Sequence, residues 1–167
     1  MRYYSLNRNS PSVTGRDALL YGLAPDGGLY YPERIPRFAD AEIRQFLAAE
    51  RQASEVGGDG LAFLREVGFR VLQKWFGEQV EEHVLREIAV EAQTFPIPIR
   101  QVGDLQVLEL FYGPTLSFKD VAARHLARLM SYSLQERGER ALLLVATSGD
   151  TGGAIAHGFA GLENIKV

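Results

Sequence analysis

The stretch ALLLVATSGDTGG, residues 141–153, decides the fold class of this 167-residue chain. Its first six residues, 141–146, form a continuous apolar run, which is typical of a parallel strand buried on both faces. The glycines and hydroxyl side chains that follow predict a loop and a short helix, and residues 163–167 predict the next strand. Because a strand, a helix and a second strand in this order form a right-handed crossover unit, we predict an α/β fold with a parallel sheet.

The residues just before this unit predict a hairpin and a further helix. Residues 97–102 and 105–111 are strand-like, with Gly103-Asp104 as the turn between them. A helix is expected to begin near Lys119, with the Ser117 hydroxyl capping its start. The predicted order of elements is therefore hairpin, helix, strand, helix and strand.

The first 92 residues follow a different, mostly helical pattern. Residues 21–32 are rich in glycine, proline and tyrosine and predict a turn beside a short strand. One helix is predicted after a cap at Asp40, a second between a break at residues 57–60 and an end at Gly77, and a third around Val84. The apolar side chains expected to face inward in these helices are Ile43, Phe46, Leu47, Leu61, Leu64, Val67 or Gly68, Val71, Leu72, Trp75, Val80, Val84, Leu85 and Ile88.

The change of pattern near residue 95 divides the chain into two predicted domains. Residues 1–94 form the mostly helical N-terminal domain, and residues 95–167 form the incomplete start of a parallel-sheet domain. Barely two parallel strands are too few for a finished sheet of this class. We therefore expect the chain to be the N-terminal portion of a longer protein.

The composition excludes several classes of function. Eighteen Lys and Arg residues against 21 Asp and Glu residues give a net charge of −3, so no concentrated basic face for nucleic acid is expected. The absence of cysteine excludes a disulfide scaffold and a thiolate zinc site, and the three histidines lack the spacing of metal ligands. The longest aliphatic run is far shorter than the roughly 20 residues of a membrane span, and no secretory signal is visible. We therefore expect a soluble cytoplasmic protein with neither a metal nor a membrane partner.

Lys119 is the first candidate for chemistry. It falls in the first turn of a predicted helix, where the partial positive charge of the helix dipole disfavours a cation, and burial would act in the same direction. A lysine poised towards its neutral amine is what Schiff-base chemistry requires. The alternative interpretation is an ordinary solvated lysine, because most lysines are exposed.

The loop at residues 147–152 is the second candidate, because it lies between a buried strand and a helix. At this place α/β proteins bind anions through free backbone N–H groups, and three hydroxyl side chains add donors here. The loop lacks the ending of a Walker A motif and the spacing of a dinucleotide fingerprint. A simple turn is the alternative. Arg124 and Arg128, one helical turn apart, could also meet a phosphate, although a solvated helix face is the favoured interpretation.

Several stretches of the chain resemble the threonine synthase family. FYGPTLSFKD at residues 111–120 resembles the lysine motif of that family, and ATSGDTG at residues 146–152 resembles its second signature. YYS at residues 3–5 and GLAPDGGLY at residues 22–30 are similar to its N-terminal domain. These stretches follow one another in the family's order, which favours a functional Lys119 over a solvated one.

The resemblance implies an enzyme of the tryptophan-synthase-like fold type that uses pyridoxal 5'-phosphate. Such an enzyme converts O-phospho-L-homoserine and water into L-threonine and phosphate. Lys119 would be the Schiff-base lysine, and Phe118 and Asp150 would contact the cofactor, with Asp150 in a place where related enzymes often have an asparagine. Residues 95–167 would form part of the catalytic domain. The residues implied to bind the substrate are Thr147, Ser148, Gly149, Thr151 and Gly152.

One departure from the family concerns length. Family members are more than twice as long, so the loop for the cofactor phosphate and the group facing the pyridine nitrogen are expected beyond residue 167. We therefore expect the 167-residue chain alone to be inactive. Two alternatives stay open, namely a finished non-catalytic binding module and another pyridoxal-phosphate-dependent lyase. The pattern favours no particular oligomeric state.

Overall fold

The structure is a computed structural model that describes the backbone of residues 1–55 and 60–167, and the side chains of these residues apart from 52–55. The break predicted at residues 57–59 lies outside the described residues. Helices and small sheets alternate, as the predicted α/β class requires. The elements in chain order are β1 (Arg2–Ser5), β2 (Val13–Thr14), α1 (Gly15–Tyr21), β3 (Tyr30–Pro32), α2 (Asp40–Glu55), α3 (Leu61–Phe76), α4 (Glu82–Ala92), β4 (Ile99–Val102), β5 (Leu105–Leu108), α5 (Lys119–Gln135), β6 (Ala141–Leu142), α6 (Asp150–Phe159) and β7 (Ile165–Lys166).

The strands form three small sheets. β1 lies between β2 and β3 and is antiparallel to both. β4 and β5 form an antiparallel hairpin, and its turn contains Gly103 at a φ of 58°, which confirms the predicted turn. β6 and β7 are parallel, with Ala141 opposite Ile165. This pairing across α6 confirms the predicted crossover unit.

The helix α5 forms the centre of the packing, because it contacts α1, α4 and α6. Its two sides belong to two apolar clusters. The first cluster contains Phe69, Leu72, Val80, Leu85, Ile88, Ala89 and Leu129. The second contains Ala127, Met130, Leu134, Phe159 and Ile165. The helix that begins with Lys119 is therefore held from the N-terminal helices on one side and from the crossover unit on the other.

The predicted inward face of α3 is partly wrong. Val71 is exposed, whereas Phe69, which the pattern left out, is only 1% exposed and belongs to the first cluster. The burial predicted for Leu72 and Leu85 is confirmed. Helical spacing defines an apolar stripe but not which edge of that stripe faces the core, and the packing of α4 against α3 decides this.

The start and the apolar face of α2 also differ from the prediction. The helix begins at Asp40 itself, and the Glu42 carboxylate accepts a hydrogen bond from the Ala39 N–H group at 2.7 Å. Ile43 and Leu47, which were expected to face inward, are exposed. Ile43 and Leu47 are exposed because α3 is the one described element with which α2 packs extensively, and it covers another face of the helix.

The predicted buried strand at residues 141–146 is present only in part. Ala141 and Leu142 pair with β7, but Leu142 and Val145 are exposed and Leu144 is 87% exposed. An apolar parallel strand is buried where strands and helices cover both of its faces. Among the described residues, β7 is the only strand that pairs with β6.

The described residues contain no helix that is both long enough and apolar enough to cross a bilayer.

Candidate functional site

The two motifs singled out in the sequence meet at the starts of two neighbouring helices. Lys119 is the first residue of α5, and Asp150 is the first residue of α6. The Lys119 ammonium group donates a hydrogen bond to the Asp150 carboxylate, across 31 residues of sequence. Gly158 makes this arrangement possible, because a Cβ there would lie 3.2 Å from the carbonyl group of Ala123 in α5. A glycine at this position lets the two helices approach closely.

The turn at residues 113–118 leads into α5 and sets the direction of Lys119. The Ser117 hydroxyl accepts a hydrogen bond from the Lys119 backbone N–H group at 3.3 Å, while Phe118 is the residue that flanks the helix. The predicted role of Ser117 at the helix start is thus supported by this contact, one residue away from the formal cap. Leu116 has a φ of 59°, a left-handed conformation that leucine rarely adopts.

A groove of about 460 Å³ opens beside this turn. One wall is apolar and comes from the end of β5 and the segment after it, and the other comes from the turn before α5, with Asp150 at its end. Its volume lies in the range of about 300–1,000 Å³ that is typical of small-molecule sites. The residues that line it are Leu108, Leu110, Phe111, Thr115, Leu116, Ser117, Phe118 and Asp150.

Phe118 and Lys119 are adjacent in space as well as in sequence. The Phe118 ring is 59% exposed, and the Lys119 Nζ atom lies 4.5 Å from its centroid. An exposed aromatic ring beside an amine offers a flat apolar surface to a ligand that the amine would bind. The structure therefore brings together the three residues Phe118, Lys119 and Asp150 that the resemblance implied as the cofactor contacts.

The loop at residues 147–152 is shaped by its own hydrogen bonds. The Thr147 hydroxyl accepts from the backbone N–H groups of Gly149 at 3.2 Å and Gly152 at 3.3 Å. Gly149 has a φ of 136°, and a Cβ on Gly152 would overlap the Thr147 methyl group, so both positions require glycine. Thr147 therefore has a structural role that the sequence analysis did not assign. Its predicted contact with substrate, and those of Ser148 and Thr151, stay predictions.

The Asp150 carboxylate dominates the charge at this site. Its pKa is lowered from the ordinary value, first by the hydrogen bond from Lys119 and then by the Thr151 backbone N–H group. The ionised carboxylate also lies in the first turn of α6, where the helix dipole favours a negative charge. Asp150 is the partner of the Lys119 side chain in an ion pair between the starts of α5 and α6.

Arg124 and Arg128 do not form an anion site in this structure. Arg124 donates from Nε to the Ala92 carbonyl at 2.7 Å and from Nη2 to the Glu91 carbonyl at 3.0 Å and to the Thr94 hydroxyl at 3.1 Å. Arg128 pairs with the Glu91 carboxylate at 3.1 Å. A cation at the C-terminal end of α4 satisfies its last carbonyl groups and complements its dipole. The two arginines thus attach α5 to α4.

Sequence reasoning missed the part played by Asp120. Its side chain is 1% exposed, and its carboxylate binds Thr115 in the preceding turn. The sequence alone could have predicted that an acidic residue in the first turn of a helix interacts favourably with the helix dipole. The hydrogen bonds of Asp120 to Thr115 could not be predicted, because they depend on how residues 113–118 fold.

Known proteins similar to this chain share one description. Residues 2–93 match the family described as "Threonine synthase N terminus". Over its whole length the chain is 39% identical to a threonine synthase of Pseudomonas aeruginosa and 34% identical to one of Escherichia coli, and it covers 34% and 36% of those proteins. It thus spans about a third of the length of the curated relatives that it matches.

Solved structures give the same result. A threonine synthase from Brucella melitensis, described as bound to PLP, superimposes with a TM-score of 0.83 at 40% identity, covering 99% of this chain and 34% of that chain. The threonine synthase of Escherichia coli superimposes with a TM-score of 0.83 at 32% identity, covering 100% of this chain and 36% of that chain. The fold of the described residues is therefore shared with the corresponding third of these proteins.

Proposed function

The chain belongs to the threonine synthase N-terminus family, and from this premise we propose that it supplies the lysine-bearing part of a threonine synthase. That enzyme converts O-phospho-L-homoserine and water into L-threonine and phosphate, with pyridoxal 5'-phosphate as its cofactor. Residues 1–94 form its N-terminal domain, and residues 95–167 form part of its catalytic domain. The proposal also places the protein in the cytoplasm, a reducing compartment that suits a chain without cysteine.

The observation that carries the proposal is the contact of Lys119 with both Phe118 and Asp150, two residues that line one groove. The amine and the carboxylate come from two motifs 31 residues apart, and a hydrogen bond joins them. The exposed ring of Phe118 lies beside the amine. A solvated surface lysine would need neither the carboxylate partner nor the groove.

The groups at the groove fit pyridoxal phosphate. The cofactor needs an amine for its aldehyde, a flat apolar surface for its ring and a charged partner close by, and Lys119, Phe118 and Asp150 provide these. When bound, it supplies an aldehyde that condenses with amines and a ring that withdraws electrons from the bonds next to the nitrogen. The loop at residues 147–152 and the start of α6 would face the anionic groups of the substrate.

The roles of the side chains follow from their positions. Lys119 would hold the cofactor through its amine and would carry protons to and from the substrate. Asp150 pairs with the Lys119 side chain and holds it at the end of the groove. Phe118 lies beside the amine and would offer an apolar surface to the cofactor ring.

Substitution of the lysines tests this proposal. We compare Lys119→Ala with Lys74→Ala in the complete protein that contains these residues, and measure the visible absorbance of bound cofactor and phosphate release from O-phospho-L-homoserine. Lys119→Ala should abolish both signals, whereas Lys74→Ala should keep both, since Lys74 pairs with Glu42 far from the groove. The 167-residue chain alone should release no phosphate.

Other results would reject the proposal. A reducible adduct between the cofactor and the Lys119→Ala protein would exclude Lys119 as the binding residue. Cofactor binding with a product other than threonine would indicate another pyridoxal-phosphate-dependent lyase. A complete protein with neither signal would favour a non-catalytic binding module.

A further inference from the structure

The turn before Lys119 is held in a strained conformation. Leu116 adopts a φ of 59°, which brings the Cβ of an L-residue close to its own backbone. Its side chain is 74% exposed, so burial does not compensate for the strain. Such conformations persist only where the surrounding structure fixes them, and they cluster at functional sites. The turn must therefore have a strong anchor.

That anchor is the buried carboxylate of Asp120. The Thr115 hydroxyl donates to its Oδ1 atom at 2.6 Å, and the Thr115 backbone N–H group donates to its Oδ2 atom at 2.9 Å. A Cβ on Gly113 would overlap this carboxylate, so Gly113 leaves the space that it needs. The Leu116 N–H group closes the turn by donating to the Gly113 carbonyl at 3.0 Å.

The anchored turn has a direct consequence for the groove. Asp120 follows Lys119 immediately, and both of its carboxylate oxygens bind the residue that precedes Leu116. Leu116 and Phe118 thereby become wall residues of the groove, and the Lys119 side chain extends from the helix start to Asp150. Without the hydrogen bonds between Asp120 and Thr115, the groove wall formed by Leu116 and Phe118 and the start of α5 at Lys119 would both lose their fixed positions.

We propose that Asp120 is a positioning residue, whose bonds to Thr115 hold residues 113–118 in the conformation that presents Lys119 and the groove to a pyridoxal phosphate aldehyde. The inference rests on the proposed function, because that function identifies pyridoxal phosphate as the ligand of Lys119. Asp120 does not touch that ligand and acts through Thr115. A carboxylate that served only the stability of the fold would leave the reactivity of Lys119 unchanged in a protein that is still folded.

Chemical trapping on the 167-residue chain tests the proposal. The chain has three lysines, Lys74, Lys119 and Lys166, which makes each one assignable by peptide mass. A lysine amine condenses with the aldehyde of pyridoxal 5'-phosphate and loses water, and hydride from cyanoborohydride then reduces the carbon–nitrogen double bond to a stable secondary amine. The measured quantity is the label on Lys119 relative to that on the exposed Lys166.

The variants form matched pairs around the anchor. Thr115→Val removes the hydroxyl and keeps the shape, whereas Thr115→Ser keeps the hydroxyl, and Asp120→Asn removes the charge. We expect Thr115→Val and Asp120→Asn to lower the relative label on Lys119 about three- to tenfold, the factor for one hydrogen bond of ordinary strength. Thr115→Ser should keep the wild-type ratio. Amide hydrogen exchange at Thr115 should become faster in Asp120→Asn, since the amide oxygen of asparagine is a weaker acceptor than the carboxylate.

A distant core variant separates positioning from loss of stability. Val80→Ala weakens the first cluster and should leave the relative label on Lys119 unchanged, with the fraction folded checked by circular dichroism. An equal loss of label in Val80→Ala would overturn the positioning role of Asp120. The positioning role would also be overturned if Asp120→Asn and Thr115→Val were folded and labelled Lys119 relative to Lys166 as the wild type does. In that case the proposed function would stand. A wild-type chain whose Lys119 reacts no better than Lys166 would also overturn this inference, whereas the proposed function is decided separately, by Lys119→Ala in the complete protein.

Discussion

Replacing Gly158 with alanine tests the contact that brings the two site helices together. A Cβ at this position would lie 3.2 Å from the carbonyl carbon and oxygen of Ala123. These atoms belong to the backbone of α5 and cannot rotate away, so α6 must move by a few tenths of an ångström. Overpacking of this kind costs about 1–3 kcal/mol. Alanine is the better helix former by about 0.8–1.0 kcal/mol, so the net loss of unfolding free energy should lie between about 0 and 2 kcal/mol.

Gly153→Ala is the matched control in the same helix. No atom lies within 4 Å of a Cβ built on Gly153, so this variant gains helix propensity without a steric penalty. It should raise the free energy of unfolding by about 0.8–1.0 kcal/mol. The propensity gain cancels between the two variants, and the difference of about 1–3 kcal/mol isolates the contact with Ala123.

Urea unfolding followed by far-ultraviolet circular dichroism measures both values. The slope of free energy against urea should be the same for the two variants, since the surface exposed on unfolding is unchanged. The trapping reaction gives a second readout, because a displaced α6 moves Asp150 away from Lys119 in Gly158→Ala but not in Gly153→Ala. Equal free energies of unfolding for the two variants would refute the close approach of α5 and α6.

Two further predictions concern stability. Burial lowers the pKa of His125, so the unfolded chain takes up the proton first as the pH falls below about 6.5, and the free energy of unfolding should decrease over that range. In urea titrations at several pH values, the free energy of unfolding should depend less on pH in His125→Gln than in the wild-type chain. The same pH dependence in His125→Gln as in the wild type, or a reduction of similar size in the exposed His83→Gln, would contradict this. Arg124→Met should lower the free energy of unfolding by at least about 1.5 kcal/mol, because the Ala92 and Glu91 carbonyls lose a charged donor. Arg128→Met should lower it by less than about 1 kcal/mol, because Arg128 loses an ion pair with an exposed carboxylate. Similar losses in the two variants would show that the hydrogen bonds of Arg124 add nothing to stability.

The elements that could be predicted are those whose signals are local. The turn at Gly103 is set by residues that are neighbours in sequence, and each of the three segments in the crossover from β6 to β7 has a local pattern of its own. The inward edge of α3 could not be predicted, because Phe69 and Val71 differ in burial only through the packing of α4. The exposure of Leu144 has the same kind of cause, since it depends on which elements lie beside β6.

The sequence by itself determined the chemistry that this protein can offer: a lysine at a helix start, and a glycine- and hydroxyl-rich loop before a second helix. These are properties of short segments, where residue type and spacing act over a few bonds. Only the tertiary structure decided that Lys119 meets Asp150, and that Asp120 anchors the turn while Arg124 attaches α5 to α4. Those contacts depend on distances between helices, which are set by side-chain volumes where the helices touch, as at Gly158 of α6 and Ala123 of α5, which are far apart along the chain.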